Sequence, residues 1–181
     1  PKPNTTLEGL AKLKTIYGSP TVTAGNAPGL DAGAAAVIVM RRSRAEEMGV
    51  KPLATIVSVA SGASEPRRMA ELPGFVIQKA LKRANLSIDD MEVIEINEAF
   101  AAVTLVSTKI LAGNDEKKWR ELLKKTNPNG GAIAIGHPVG ASGARILLTL
   151  MHELRRRGGG YGVCGICGGL AQGDCAVIRV D

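Results

Sequence analysis

The 181-residue chain is 45% hydrophobic and 22% charged, a composition that supports one packed domain and excludes a disordered or low-complexity segment. Its 23 basic residues outnumber 17 acidic ones, yet the basic runs Arg41-Arg42, Lys117-Lys118 and Arg155-Arg156-Arg157 are scattered and aromatics make up only 3%. That pattern fits solvated helix faces, leaves room for a polyanionic ligand such as a nucleotide-bearing cofactor, and lacks the basic stripe interleaved with aromatics that nucleic-acid binding uses.

No apolar run approaches the length of a membrane span, and no charged leader precedes an apolar stretch, so a soluble cytoplasmic protein without a membrane or nucleic-acid partner is expected. The opening Pro1-Lys2-Pro3-Asn4 carries no initiator Met and reads as the interior of a longer chain.

In chain order, Thr21 to Gly25 reads as a short strand giving way to the Gly/Pro/Asn loop Asn26-Ala-Pro28-Gly29. Ala34-Ala-Ala-Val-Ile-Val-Met40 is a continuous apolar run of strand length. Ser43 then offers a helix cap, with Glu46 completing a capping box. The β-branched stretch Pro52 to Ala60 predicts a strand, and Ser61 to Pro66 a polar loop. Pro73 to Asn85 carries Val76, Ile77, Ala80, Leu81 and Ala84 as one helical stripe.

Met91 to Ile96 predicts a strand running into Asn97-Glu98-Ala99-Phe100 and an apolar helix from Ala101 to Leu111. The charged stretch Gly113 to Lys125 reads as an exposed helix or insertion. Ala132 to Ile135 predicts a further strand, followed by the turn Gly136-His137-Pro138-Val-Gly140 and a helix from Ser142 to Arg157, whose basic last turn complements its dipole and which Gly158 stops. Tyr161 to Cys167 and Cys175 to Val180 predict two last strands joined by a glycine-rich hairpin. Strands alternating with helices imply an α/β fold whose sites gather at the strands' carboxyl ends. Asn97, His137 and Cys167 are all expected there.

The three cysteines, Cys164, Cys167 and Cys175, all fall in the last eighteen residues. Structural zinc would need four ligands and a second paired motif. A dithiol is disfavoured because strand residues three apart face opposite ways and lie about 10 Å apart, beyond the roughly 7 Å reach of a disulfide. Gly136, Gly140 and Gly143 resemble a phosphate-binding turn, but no Gly-Lys-Ser/Thr follows. His137 is either a buried structural histidine or, on a turn between Gly136 and Pro138, a general base. Cys167 reads as a thiol of moderate pKa able to exchange a proton. His152 reads as a surface residue. Asn97 is either a helix cap or an amide donor to a developing oxyanion.

Thr21-Val-Thr-Ala-Gly-Asn26, Asn97-Glu-Ala-Phe100, the run from Gly130 to Arg145 and the Cys167 strand together resemble the thiolases, in particular the acetyl-CoA acetyltransferases. The resemblance covers nearly the whole chain but only that family's C-terminal half. It implies a thiolase-like half with a five-stranded mixed sheet covered by helices on both faces. Residues 1–20 would be an irregular lead-in from a missing N-terminal half, and residues 21–181 the thiolase C-terminal domain.

The resemblance also implies roles. His137 would activate a nucleophilic cysteine, Cys167 would move the proton on the carbon beside the thioester, Asn97 would hold a water that forms one oxyanion hole with His137, and the Gly169 N–H would contribute to another. Ala24, Gly25, Ala99 and Phe100 would contact the pantetheine arm of CoA, and Met69 would line the acyl pocket. No cofactor is expected to be tightly bound, the substrates being CoA thioesters. The implied partners are an N-terminal thiolase half carrying the nucleophile and further copies in a homo-oligomer, so the chain alone is expected to be inactive. A non-catalytic, thiolase-like binding or structural domain is the alternative.

Three features depart from the family pattern. Pro28 stands where many relatives have a pantetheine-bonding serine. Ala70-Glu71-Leu72 replaces a smaller turn beside Met69. The hairpin Gly168-Gly-Leu-Ala-Gln-Gly173 has fewer glycines than usual.

Overall fold

Four of the apolar stretches form one sheet: β1 (Thr55–Ala63), β2 (Met91–Ile96), β3 (Gly160–Gly168) and β4 (Gln172–Val180). The computed structural model describes residues 2–181. The strand order is β1-β4-β3-β2, with β4 antiparallel to both neighbours and β2 parallel to β3. Strands β1, β2 and β3 therefore run the same way, and their carboxyl ends share one rim.

The helices are α1 (Leu7–Ala11), α2 (Arg42–Glu47), α3 (Leu72–Arg83), α4 (Ala101–Leu111), α5 (Glu116–Lys124), α6 (Ala132–Ile135) and α7 (Ser142–Arg157). Helices α3 and α4 cover one face, where Val76, Ile77, Ala80, Leu81 and Val103 pack on Ile94, Ile96, Val163 and Val177. Helix α7 covers the other, with Ile146, Leu150 and Leu154 against Val93, Cys164 and Ile178. Each fully buried aliphatic side chain contributes about 1.5–3 kcal/mol relative to exposure, so α7 is held by its apolar stripe rather than by its helix propensity. The expected α/β architecture, a mixed sheet with helices on both faces, is present with four strands rather than five.

The departures have physical reasons. Ala34–Met40 is not a strand: no neighbouring edge pairs with it among the described residues, and Ile38 is 88% exposed. Ala132–Ile135 is the short helix α6, because the outer edge of β2 is already taken. There Lys125 O accepts from Ile94 N at 2.9 Å, Asn127 N donates to Ile94 O at 2.8 Å, and the Asn127 carboxamide accepts from Ile96 N at 2.8 Å and donates to Ile96 O at 2.9 Å. One side chain thus supplies the bonds that another strand would make. Thr21–Gly25 contributes only the isolated bridge from Thr15 to Thr23. The capping box at Ser43 is not formed: α2 starts two residues earlier than that cap implies, with Arg41 at its cap position and no side-chain cap bond.

Candidate active site

His137 sits between α6 and α7. Gly136 has φ of +92°, and a Cβ there would overlap the Asp31 carboxylate, so both the backbone angle and the close approach demand glycine. The His137 N–H donates to Gly29 O at 3.0 Å, tying this turn to the loop that carries Pro28.

The imidazole is held from the start of α7. His137 Nδ1 lies 2.6 Å from Ser142 Oγ, and Ser142 Oγ donates to Pro138 O at 3.0 Å. With the hydroxyl hydrogen on that carbonyl, the hydroxyl accepts from Nδ1–H, and this is the tautomer that leaves the Nε2 lone pair as an acceptor. Burial, followed by the nearby Arg145 cation, pushes the His137 pKa below its ordinary value. A neutral imidazole with a free Nε2 can take a proton near neutral pH.

Asn97 follows β2 and is 0% exposed. Its N–H donates to Gly165 O of β3 at 3.0 Å, and its Nδ2 lies 3.4 Å from His137 Nε2. It is not a helix cap, since α4 is preceded by Phe100 in that position. Cys167 stands two residues beyond Gly165 on β3, buried against the α3/α4 face, and burial drives its thiol pKa upward. It is therefore a protonated thiol at rest, not one of moderate pKa. Cys164 packs on the opposite face with its pKa raised to about 12, all three cysteines are free, and no metal-binding cluster occurs among the described residues.

The sequence-predicted residues converge unevenly. Asn97 and Cys167 occupy the neighbouring carboxyl ends of β2 and β3, whereas His137 follows a helix and not the expected strand. Gly169 lies in the turn after β3, where Leu170 and Ala171 both adopt positive φ, 58° and 53°. Ser64 N donates to Ala171 O at 2.9 Å, joining this turn to the end of β1. Met69, in the 3-10 turn Pro66–Glu71, packs with Ala99 and Phe100 on the α3/α4 core. Asn26 O accepts from Ala101 N at 2.9 Å, which brings the loop containing Ala24 and Gly25 beside Ala99 and Phe100. His152 is exposed.

Two concavities flank these elements. An open groove of about 460 Å³ between Asp31–Ala35 and Pro138–Ala141 adjoins His137. A larger one of about 550 Å³, lined by residues such as Gln78, Asn85 and Ile88, contains none of the candidate residues.

Sequence reasoning missed Ser142, Asp31 and Arg145. Ser142 was signalled only by lying five positions after His137 at a helix start. Arg145 is half-buried on the inward side of α7, with Nη2 3.4 Å from Asn97 Oδ1.

Residues 50–180 match the family model described as thiolase, C-terminal domain, and residues 1–43 match thiolase, N-terminal domain. The chain belongs to the thiolase family. This thiolase chain is 45% identical over 175 residues to an acetyl-CoA acetyltransferase of Syntrophomonas wolfei subsp. wolfei, covering 96% of this chain and 43% of that protein. It is 45% identical over 180 residues to a beta-ketoadipyl-CoA thiolase of Acinetobacter baylyi, covering 99% and 43%. The human mitochondrial 3-ketoacyl-CoA thiolase solved in complex with CoA superposes with a TM-score of 0.86 at 39% identity, covering 99% of this chain and 44% of that one. The chain thus spans less than half the length of these relatives. The unpaired run Ala34–Met40 falls within the match to the N-terminal domain, outside the C-terminal one.

Proposed function

We propose that this chain supplies the C-terminal catalytic part of an acetyl-CoA C-acyltransferase that cleaves 3-ketoacyl-CoA thioesters or forms them by Claisen condensation. The observation that carries the reading is the buried Asn97 amide, whose Nδ2 lies 3.4 Å from Nε2 of a His137 held at Nδ1 by Ser142. An N-terminal thiolase segment would provide the nucleophilic cysteine; the two family matches, over residues 1–43 and 50–180, support a domain boundary between residues 43 and 50 in place of the one expected after residue 20.

In thiolysis, His137 Nε2 takes the proton from the partner cysteine, whose sulfur attacks the 3-keto carbon. The C2–C3 bond breaks and its electron pair passes into the thioester as an enolate, with its oxygen held by His137 and an Asn97-bound water. Cys167 gives its proton to C2, releasing acetyl-CoA. The raised pKa of Cys167 suits that donation, since the thiol starts protonated. The CoA thiol, losing its proton to the Cys167 thiolate, then attacks the acyl-enzyme, whose oxyanion faces the Gly169 N–H; the partner thiolate leaves and recovers its proton from His137. Condensation is the reverse. Ala24, Gly25, Pro28, Ala99 and Phe100 would meet the pantetheine arm, and Met69 the acyl chain.

The test is reconstitution with an N-terminal thiolase segment. His137→Ala should abolish acylation of the partner cysteine, while Cys167→Ser should permit acylation and block carbon–carbon chemistry. Turnover of acetoacetyl-CoA by the rigorously purified chain alone, or equal loss of both steps in both variants, would overturn the proposal.

A further inference from the structure

A polar column runs beneath the candidate site, between β2 and α7, and most of it takes no part in the chemistry above. Side chains at Val93, Glu95 and Asn97 alternate toward the α7 face of the sheet, because successive strand residues point to opposite sides. Glu95 is 1% exposed, and its Oε1 has no hydrogen-bond partner; Arg145 Nε and Nη1 are likewise buried and unpartnered. A carboxyl and a guanidinium are thus embedded beside Asn97, and the guanidinium donates from Nη2 to Asn97 Oδ1 at 3.4 Å. Burying even part of a cation costs free energy unless it is paired and hydrogen-bonded, and here only Nη2 has a partner.

The chemistry of the guanidinium determines what it does to Asn97. Arg145 has five donors and no acceptor, so a carboxamide facing it must present its oxygen. The Asn97 Nδ2 is then turned toward His137 Nε2, 3.4 Å away. Were the amide reversed, Oδ1 would meet the Nε2 lone pair and Nδ2 would meet a cation, two repulsive contacts in one buried site. From this we infer that Arg145 is a positioning residue that fixes the orientation of the Asn97 carboxamide, and through it keeps His137 Nε2 an unprotonated acceptor facing the site.

The charged groups on the elements packed about this turn are Asp31, which lies against Gly136, Glu95 and Glu98, from β2 and the turn after it, and Arg145 of α7, the one charge that acts on the ring. Glu98 is engaged elsewhere, accepting from Ile133 N at 3.0 Å and from Asn127 Nδ2 at 3.2 Å. Glu95 is held largely protonated by burial, its pKa raised to about 8, so it does not cancel Arg145 where His137 titrates. The Arg145 cation is therefore effective at the ring, in line with the lowered His137 pKa.

The catalytic consequence rests on the thiolase reading, but the arrangement itself is read in the chain by NMR, without turnover. In the His152→Gln background, which leaves one imidazole, the Asn97 side-chain amide hydrogens should show NOEs to the His137 ring and none to the Arg145 guanidinium. The reverse pattern in this chain overturns the proposal with no substitution at Arg145. Arg145→Met should raise the His137 titration midpoint and speed exchange of the Asn97 amide hydrogens, and Arg145→Lys, which restores a donor and a charge, should move both back toward the wild type. A folded Arg145→Met chain with a wild-type midpoint and wild-type exchange would show that Arg145 only fills space. If that variant fails to fold, the NOE pattern of the chain with Arg145 in place decides alone: NOEs from the Asn97 amide hydrogens to the His137 ring support the proposal, and NOEs to the Arg145 guanidinium in their stead overturn it.

Discussion

His137 and Ser142 are joined by the shortest contact in the candidate site, Nδ1 to Oγ at 2.6 Å, across the turn that opens α7. The hydroxyl is itself anchored to Pro138 O, so the imidazole is oriented by a residue that never meets substrate. Ser142→Ala should leave KM for the CoA thioester near its original value and lower kcat by about tenfold, the equivalent of one hydrogen bond of roughly 1.4 kcal/mol. Steady-state kinetics of the reconstituted enzyme check this; a rise in KM with unchanged kcat would point to a binding role instead.

Glu95 should make stability fall as pH rises. Its folded-state pKa of about 8 lies above the ordinary 4.5, so between those values the folded chain holds a proton that the unfolded chain has lost. Burial is the main cause, opposed by Arg145. Glu95→Gln should remove this decline, and its stability relative to wild type should increase from pH 5 to pH 8 in urea melts. A constant difference across that window would show that Glu95 is not held neutral.

Glu153 should act with the opposite sign. Its carboxylate accepts from Arg156, Asn129 and Arg157, hydrogen bonds that hold its pKa at about 2, below the usual 4.5. The stabilisation is present above pH 4.5 and is lost as pH falls toward 2. Glu153→Gln should therefore flatten acid unfolding in that range, as followed by circular dichroism.

Leu170 adopts φ of +58° at the tip of the β3–β4 turn, with its side chain 79% exposed. An L-residue in this conformation carries strain of about 1–2 kcal/mol, and an exposed side chain supplies little packing to offset it. Leu170→Gly should raise stability by about 0.5–1 kcal/mol after the entropic cost of glycine in the unfolded chain. Denaturant midpoints measure it, and a destabilised variant would mean that the Leu170 side chain makes a compensating contact.

Where local pattern and tertiary setting agree, the sequence was legible. Strand β2 and helices α4 and α7 have the expected limits because their apolar periods end at clear signals, such as Gly158 with φ of +96°. Ala34–Met40 and Ala132–Ile135 looked alike as apolar runs, yet neither is a strand. What decided them was the availability of a sheet edge, which no window of residues reports. The site divides in the same way. His137, Asn97 and Cys167 stood out through their glycine-rich or strand-end settings, whereas a cation such as Arg145 on an amphipathic helix reads as surface until its facing strand is known.

The run Ala34–Met40 bears on how this chain behaves in a tube. Seven uncharged residues without proline, rich in β-branched side chains and outside any sheet, make a template for stacking between molecules. Arg41 and Arg42 follow at once and act as gatekeepers, since stacked copies would crowd like charges along the fibre. Colloidal stability of the free chain should then depend on these two guanidinium groups, and high salt, which screens them, is the condition expected to turn it cloudy.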